Sequence, residues 1–302
     1  MDSNSNSSLK GGIAATLAFV IWGIIPVYWK LLSQVNHYEL LLHRIVWSFV
    51  FLFILIRLRG RWRLFLGTYR NRRMVLLHGL GGILLAINWF AFIYAVTHGY
   101  ILQASLAYFI VPLTNAALGY LVLSEPMSRW RTLAVFLAGL GVVNEILQVT
   151  EFPWMAIAMA ATFGGYSLIK KKTSLGTVTS LTVENTIIFP VAAVALLALT
   201  VQGKGALLNE SGSLRVLLLL TGLVTSVPLL LFSYGAARIQ LSTLGFIQFI
   251  GPVLKFLLAV WLYHEPFTSA KLLTFGLIWA GILLYIWDSI NLSRLKHVQP
   301  DL

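Results

Sequence analysis

The chain of 302 residues contains no cysteine, and only 11% of its residues are charged. The absence of cysteine excludes disulfides, thiolate metal sites and thiol nucleophiles. Because 58% of the residues are hydrophobic, the few polar groups cannot cover the surface of a soluble globule of this size. The sequence therefore predicts an integral membrane protein.

Motifs for several kinds of chemistry are also missing. The sequence has no HExxH, no GxSxG and no Walker-type phosphate loop, and the run Gly203-Lys204-Gly205 lacks the required spacing. We therefore predict that the protein is not an enzyme and uses no cofactor or metal. Without a nucleotide site, the energy for any transport must come from a gradient or from exchange.

Ten long apolar runs are present, each near the about 20 residues that cross a hydrocarbon core. The run after Lys10 is too long for a signal-peptide core and is read as a lasting span. We predict an all-α integral membrane fold with spans at 11–32, 37–57, 74–97, 101–123, 129–147, 152–169, 178–201, 214–236, 241–263 and 267–288.

The basic residues lie mainly in the short loops between these spans. Sixteen lysines and arginines fall on one side, seven of them between 57 and 73, and four fall on the other. By the positive-inside rule, this places both termini in the cytoplasm. The net charge of +12 therefore reports topology, and we predict no binding to nucleic acid.

A segment of the fourth span recurs 140 residues later in the ninth span. Pro112 matches Pro252, and Glu125-Pro126 matches Glu265-Pro266. Each half has five spans, and an odd number inserts the second copy upside down, as in many secondary transporters. The sequence thus predicts two inverted repeats, at 11–147 and 152–288, with Pro112 and Pro252 as paired hinges near the midplane.

Several short motifs together resemble a known family. They are Trp22-Gly23 with Pro26 and Tyr28-Trp29-Lys30, His43-Arg44, Asn88-Trp89, Ala104-Ser105-Leu106 with Tyr108-Phe109, and LSTLGFIQFIGP at 241–252. Over nearly its whole length, the chain is similar to RarD-type members of the EamA branch of the drug/metabolite transporter superfamily. The resemblance implies a bacterial inner-membrane permease with ten spans in two EamA repeats, associated with chloramphenicol sensitivity or resistance. Substrates of the superfamily include amino acids, small metabolites and drugs. Lys255 departs from the resemblance, in which an uncharged residue is typical at this place.

Ionisable groups inside spans are the first candidates for a transport site, because each one costs about 2.5–3.5 kcal/mol or more to insert. These candidates are Glu39, His43, Arg44, Glu184 and Lys255. We interpret Arg44 as an anion-attracting group in the outer half of a central cavity, and Glu184 as a titrating group in the inner half. Glu39 and His43 share a helix face and are further candidates for proton coupling.

Structural roles remain open for the same residues. Arg44 could snorkel or pair with Glu39, and Glu184 could bond to a neighbouring helix. Arg44 and Glu184 should lie roughly 10 Å apart along the membrane normal, too far for a simple salt bridge between upright helices. Lys255 is either a substrate ligand or a snorkelling side chain.

Uncharged polar and aromatic groups complete the predicted substrate-binding set, because pockets combine apolar area with a few polar groups. They are Trp22, Asn88, Trp89, Tyr94, Tyr108, Asn115, Tyr234 and Gln248. Any one of them could instead serve only in packing.

The predicted function is secondary active transport of small organic metabolites, amino acids or amphipathic drugs by alternating access. Export, with proton coupling through Glu184, is the favoured form. A facilitative exchanger or uniporter is one alternative, and a non-transporting receptor or assembly factor is another. The arginine-rich loop at 57–73, with Trp62 and Tyr69, predicts contact with anionic lipid headgroups. A homodimer is left open.

Overall fold

The structure is a computed structural model that describes residues 2–148, 151–262 and 269–298. These residues form helices and turns, with no β-strand among them. The helices are α1 (Asp2–Ile24), α2 (Pro26–Leu31), α3 (His37–Leu58), α4 (Trp62–Thr68), α5 (Arg72–Thr97), α6 (Ile101–Leu123), α7 (Arg129–Ile146), α8 (Trp154–Lys172), α9 (Thr177–Val201), α10 (Ala206–Asn209), α11 (Gly212–Ala236), α12 (Leu241–Gln248), α13 (Ile250–Leu257) and α14 (Ser269–Val298).

Polar caps set the starts of several long helices. The Asn36 side chain accepts a hydrogen bond from the Tyr38 backbone N–H at 2.9 Å, at the start of α3. The side chains of Asn71 and Ser128 do the same for the first turns of α5 and α7. Such caps satisfy N–H groups that have no partner within the helix.

In the part of the chain that the structure describes, eight helical segments are long and apolar enough to cross a membrane. Two further predicted spans, which correspond to α7 and α8, fall short of this standard. Both are short and carry charge near their ends, Arg129, Arg131 and Glu145 in α7 and three lysines in the last turn of α8. The chain is a multi-pass membrane protein, and the count of ten crossings stays a prediction.

The predicted ninth span is not one straight helix. It comprises α12, a turn at Phe249, α13 and a π-helix at Leu258–Leu262. Pro252 lies in the first turn of α13, where its missing N–H leaves the Gln248 carbonyl without a helical partner. In contrast, α6 runs without a break through Pro112. The Glu265-Pro266 pair lies outside the described residues.

The helices pack around two main apolar cores. One core joins α1, α3, α5, α8, α9 and α11, and the other joins α5 to α8 with α12 to α14. Many pairs of helices bring the first half of the chain against the second, among them α3 with α9, α6 with α12, and α7 with α14.

The helix starts repeat with the same spacing as the sequence motif. Four helices in the second half, α9, α11, α12 and α14, begin 140 residues after α3, α5, α6 and α7 respectively. The same shift places Glu184 at the position equivalent to Arg44, and Lys255 at the position equivalent to Asn115. The two halves can therefore be compared residue by residue.

Candidate substrate site

The Arg44 side chain, in the N-terminal half of α3, lies among aromatic rings. Its guanidinium carbon is 4.9 Å from the centre of the Trp29 ring and 4.8 Å from that of Trp89. Its Nε donates to the Thr225 hydroxyl at 3.3 Å. Among the described residues, Arg44 has no acidic partner. The rings stabilise the cation through their π faces, and much of its donor capacity is left unused.

Lys255 on α13 has a similar environment. Its Nζ is 3.2 Å from the centre of the Tyr108 ring on α6. Tyr108 is also close enough to Arg44 to interact with it electrostatically. No ion pair with Lys255 is found in the described part of the chain. The structure thus brings together Arg44, Trp89, Tyr108 and Lys255, four residues that the sequence predicted for one site.

Just beyond this group, α6 and α12 cross at close range. The Asn115 side-chain amide donates to Gln248 Oε1 at 2.8 Å, and Asn115 is fully buried. A Cβ on Gly245 would lie 2.4 Å from the Pro112 carbonyl oxygen, so only glycine allows this approach. Two more predicted site residues, Asn115 and Gln248, therefore hold the crossing together, and the Asn115 carbonyl oxygen has no partner.

Glu184 lies in a separate buried cluster between α5, α8 and α9. Its Oε1 accepts from Lys170 Nζ at 2.6 Å and lies 2.9 Å from His78 Nδ1, and its Oε2 accepts from the Tyr166 hydroxyl at 3.2 Å. All four side chains are nearly or fully buried. Glu184 therefore pairs with Lys170 and His78, and it does not pair with Arg44.

Glu39 and His43 form an i, i+4 pair near the start of α3, with His43 Nε2 3.5 Å from Glu39 Oε1. His43 Nδ1 accepts from the Trp47 indole N–H at 3.1 Å, so the ring proton lies on Nε2, toward the carboxylate. Glu39 also accepts from the Ala206 backbone N–H at 2.6 Å. This pair fixes α3 to α10.

The other predicted lining residues lie elsewhere. Trp22 packs in an aromatic cluster with Phe19, Phe163 and Phe232. Asn88 ties α5 to α8 by donating to the Met159 carbonyl at 2.8 Å.

Two predicted tyrosines lie near helix ends. The Tyr94 ring stacks on His98 at 3.9 Å, in the last turn of α5. Arg238 stacks over Tyr234 at 3.5 Å, in the last turn of α11. The structure does not bring either tyrosine together with Arg44.

At the end of the bundle where α6 ends and α12 begins, polar contacts join the two halves. Both carboxylate oxygens of Glu125 accept backbone N–H groups, those of Leu241 at 2.6 Å and Ser242 at 3.0 Å. Nearby, Arg131 donates to Asp288 at 3.0 Å and to Gln240 at 2.8 Å. The C-terminal end of α6 and the N-terminal end of α12 are thereby clamped together, whereas α13 makes few contacts with α6.

A groove of about 740 Å³ opens on another face, between α1, α12, α13 and α14. Its wall is mainly apolar and includes Phe246, Ile250, Trp279 and Tyr285. None of the residues predicted for substrate binding lines this groove.

A family model for EamA-like transporters matches the chain twice, at residues 9–144 and 153–287. This chain belongs to the EamA-like transporter family. The resemblance found in the sequence motifs is confirmed.

Relatives of this EamA-like transporter match nearly end to end. An uncharacterized transporter, YojE, from Bacillus subtilis (strain 168) is 41% identical over 94% of this chain and 96% of its own length. Protein RarD from Escherichia coli (strain K12) is 37% identical over 96% of this chain and 98% of its own length. A solved crystal structure of a protein superposes with a TM-score of 0.67 at 18% identity, covering 91% of this chain and 96% of that one, and supports the fold alone.

Five residues that contact the predicted ionisable groups were not themselves predicted for the site of this EamA-like transporter. Trp29 and Thr225 contact Arg44, while Lys170, His78 and Tyr166 contact Glu184. His78 falls within a predicted span and should have counted among its ionisable groups. Lys170 belongs to a run of three lysines that reads as a cytoplasmic loop, but its side chain is fully buried.

Proposed function

We propose that this protein is a secondary carrier that moves small organic solutes across the bacterial inner membrane by alternating access. The substrate would bind beside the crossing of α6 with α12 and α13, where Arg44, Trp89, Tyr108 and Lys255 meet. In this proposal, the chain crosses the membrane ten times with both termini in the cytoplasm, as two inverted repeats.

The observation that carries the proposal is the reciprocity of contacts between the halves. Tyr108 contacts Lys255, and the equivalent residues Gln248 and Asn115 contact each other. In α7 and α14, a Cβ on Gly141 would meet the Thr274 carbonyl at 2.9 Å, and one on Gly281 would meet that of Ala134 at 2.7 Å.

The second pair of contacts is again related to the first by a shift of 140 residues. Residue i contacting j while j′ contacts i′ is the signature of a two-fold axis. In many carriers, such an axis lies in the membrane plane and relates two inverted repeats. Movement of one repeat against the other opens the same site to either side in turn.

We propose outward-facing geometry for this state. Glu125 and Arg131 clamp the inner ends, whereas the outer halves of α6 and α13 make few contacts, among them that of Tyr108 with Lys255. Export is the direction favoured by the resemblance to RarD-type permeases, and a link to chloramphenicol stays a prediction. The exposed arginines between 57 and 73 would face anionic lipid headgroups.

We propose Glu184 as the coupling group, since a proton on its carboxylate would break the pairing with Lys170 and loosen α8 from α9. A facilitative exchanger is a second candidate, favoured by one specific observation. Lys170 Nζ lies 2.6 Å from Glu184 Oε1, so the Glu184 carboxylate already has a charged partner without a proton. The pH dependence of transport separates the two.

Solute counterflow in proteoliposomes tests the carrier proposal. Saturable exchange of labelled for unlabelled solute is expected of a carrier, whereas unsaturable flux would indicate a channel. Complete absence of flux for every solute class would favour a receptor or an assembly factor.

Topology can be tested on the same protein, because the natural chain has no cysteine. An impermeant thiol reagent should label Asn209→Cys from outside intact cells and Arg70→Cys only in inverted vesicles. The reverse pattern would refute the proposed orientation.

A further inference from the structure

Two cations lie in membrane-spanning helices of this protein with no acidic partner among the described residues. Arg44 contacts two tryptophans and a threonine, and Lys255 contacts the face of a tyrosine. A charged side chain within a membrane span is rare because insertion is unfavourable, and it normally pairs with another group. Aromatic faces offset only part of the missing counter-charge.

In the described part of the chain, no buried acid is free to neutralise these cations. Four acidic side chains are buried there, and each has partners elsewhere. Glu39 binds Ala206 and His43, Glu125 binds the start of α12, Glu184 binds Lys170, and Asp288 binds Arg131. The described residues therefore supply no neutralising charge to Arg44 and Lys255, and a bound ligand is a candidate to supply it.

The repeat shows which chemical group is missing. In the second half, the carboxylate of Glu184 neutralises the buried Lys170. In the first half, the position equivalent to Glu184 is Arg44, so that a cation stands where the second half has its carboxylate. The first half thus has no carboxylate at the position from which the second half supplies one.

The geometry favours a carboxylate as that group. The guanidinium carbon of Arg44 lies 4.9 Å from the Trp29 ring centre and 4.8 Å from that of Trp89, and Thr225 takes only the Nε–H. The remaining N–H groups suit the two oxygens of a carboxylate, which arginine binds in a bidentate way. Lys255, in contact with Tyr108, supplies a second cation.

We propose that Arg44 and Lys255 form a binding site for an organic carboxylate whose apolar body packs against Trp89 and Tyr108. The inference rests on the proposed carrier function, since it names the class of solute carried. An additional ammonium group on the ligand is unfavourable, because no acidic side chain is described at the site to receive it. The site therefore prefers simple carboxylates over amino acids of the same shape.

Matched ligands test this preference on the purified full-length protein in detergent. The probes are 3-phenylpropionate, its amide 3-phenylpropionamide, L-phenylalanine and inorganic phosphate. A ligand that binds the folded state raises the melting temperature by mass action, which the intrinsic fluorescence of the tryptophans reports. We expect a clear rise with 3-phenylpropionate at millimolar concentration, and little or none with the other three.

Variants then locate the binding. Arg44→Met and Lys255→Met should each weaken 3-phenylpropionate binding at least about tenfold, as expected for loss of a charged hydrogen-bonding partner. Arg44→Lys keeps the charge without the planar fork and should weaken it less than Arg44→Met. Arg238→Gln is the matched control. Like Arg44, Arg238 lies over an aromatic ring, that of Tyr234, but it is at an exposed position. Binding of 3-phenylpropionate to this variant should be unchanged.

Four outcomes would overturn the inference. Three are equal stabilisation by 3-phenylpropionate and its amide, unchanged affinity in folded Arg44→Met or Lys255→Met, and no effect of 3-phenylpropionate at all. The fourth is stabilisation by phosphate equal to that by 3-phenylpropionate, because phosphate lacks the apolar body.

Counterflow separates this inference from the carrier proposal. Carboxylate binding without counterflow of that solute or any other would leave the site standing and remove the carrier function. Counterflow of neutral solutes without carboxylate binding would do the reverse.

Discussion

Two lysines within the helices of this protein should respond to the same substitution in opposite ways. Lys170 and Glu184 are 0% and 1% exposed and form an ion pair of 2.6 Å. Removing one partner of a buried pair leaves an unpaired charge, which typically destabilises a protein by about 3–5 kcal/mol. Because His78 and Tyr166 still contact the carboxylate, we expect Lys170→Met to destabilise the protein by about 3 kcal/mol, the lower end of this range.

Lys255→Met removes a cation that has no described acidic partner. The variant loses a cation–π contact with Tyr108, worth about 0.5–2 kcal/mol, and it gains by removing a charge that costs about 2.5–3.5 kcal/mol in a span. The free energy of unfolding should therefore rise by about 0.5–3 kcal/mol. Methionine approximates the length and volume of the lysine stem in both variants, so packing is matched.

Thermal unfolding followed by tryptophan fluorescence measures both effects, and a thiol-reactive dye is unsuitable because the chain lacks cysteine. We expect a fall of roughly 6–12 °C for Lys170→Met, at about 2–4 °C per kcal/mol. The double variant Lys170→Met with Glu184→Gln should recover much of this loss, because no unpaired charge remains. Equal falls for the two lysines, or no recovery in the double variant, would refute the reasoning.

Three further predictions concern single positions. Glu184→Gln should abolish the pH dependence of counterflow while solute still binds, and a full rate with an unchanged pH profile would show that Glu184 has no coupling role. Glu125→Gln should lower the free energy of unfolding by about 1.5–3 kcal/mol, since an amide cannot accept both N–H groups of α12. Glu145→Gln is the control, because the amide oxygen can still accept the hydrogen bond from the Thr274 hydroxyl. Equal melting temperatures for the two variants would contradict the prediction. Gly222→Ala should destabilise the protein by about 1–3 kcal/mol, because its Cβ would lie 2.2 Å from the backbone of α3. Gly12→Ala is the control, because its Cβ would meet nothing within 4 Å. Similar melting temperatures for these two variants would show that the helices can separate easily.

The membrane fold could be read from the sequence because lipid imposes a simple rule. A helix that crosses a bilayer needs about 20 mainly apolar residues, and such runs are visible without any tertiary information. Charge at helix ends weakens the signal, which is why α7 and α8 are harder to recognise as spans. The repeat was visible because its prolines and Glu-Pro pairs are rare among apolar residues.

The partners within the site were less predictable. Arg44 was expected to attract an anion, but its contacts with Trp29 and Thr225 depend on how α2 and α11 pack against α3. Lys170 was assigned to a loop, because three adjacent lysines are typical of a cytoplasmic helix end. The rotation of α8 decides that Lys170 is buried and Lys171 half-buried, while Lys172 is exposed.

The two equivalent prolines lie in different backbone shapes. Phe-Ile-x-Pro occurs at 109–112 and again at 249–252, with Val111 at x in the first copy and Gly251 in the second, and α6 is continuous at the first copy whereas the chain turns at the second. In the alternating-access cycle that we propose, the two halves would exchange these shapes. The proline that carries the bend would then mark the side of the membrane that the site faces.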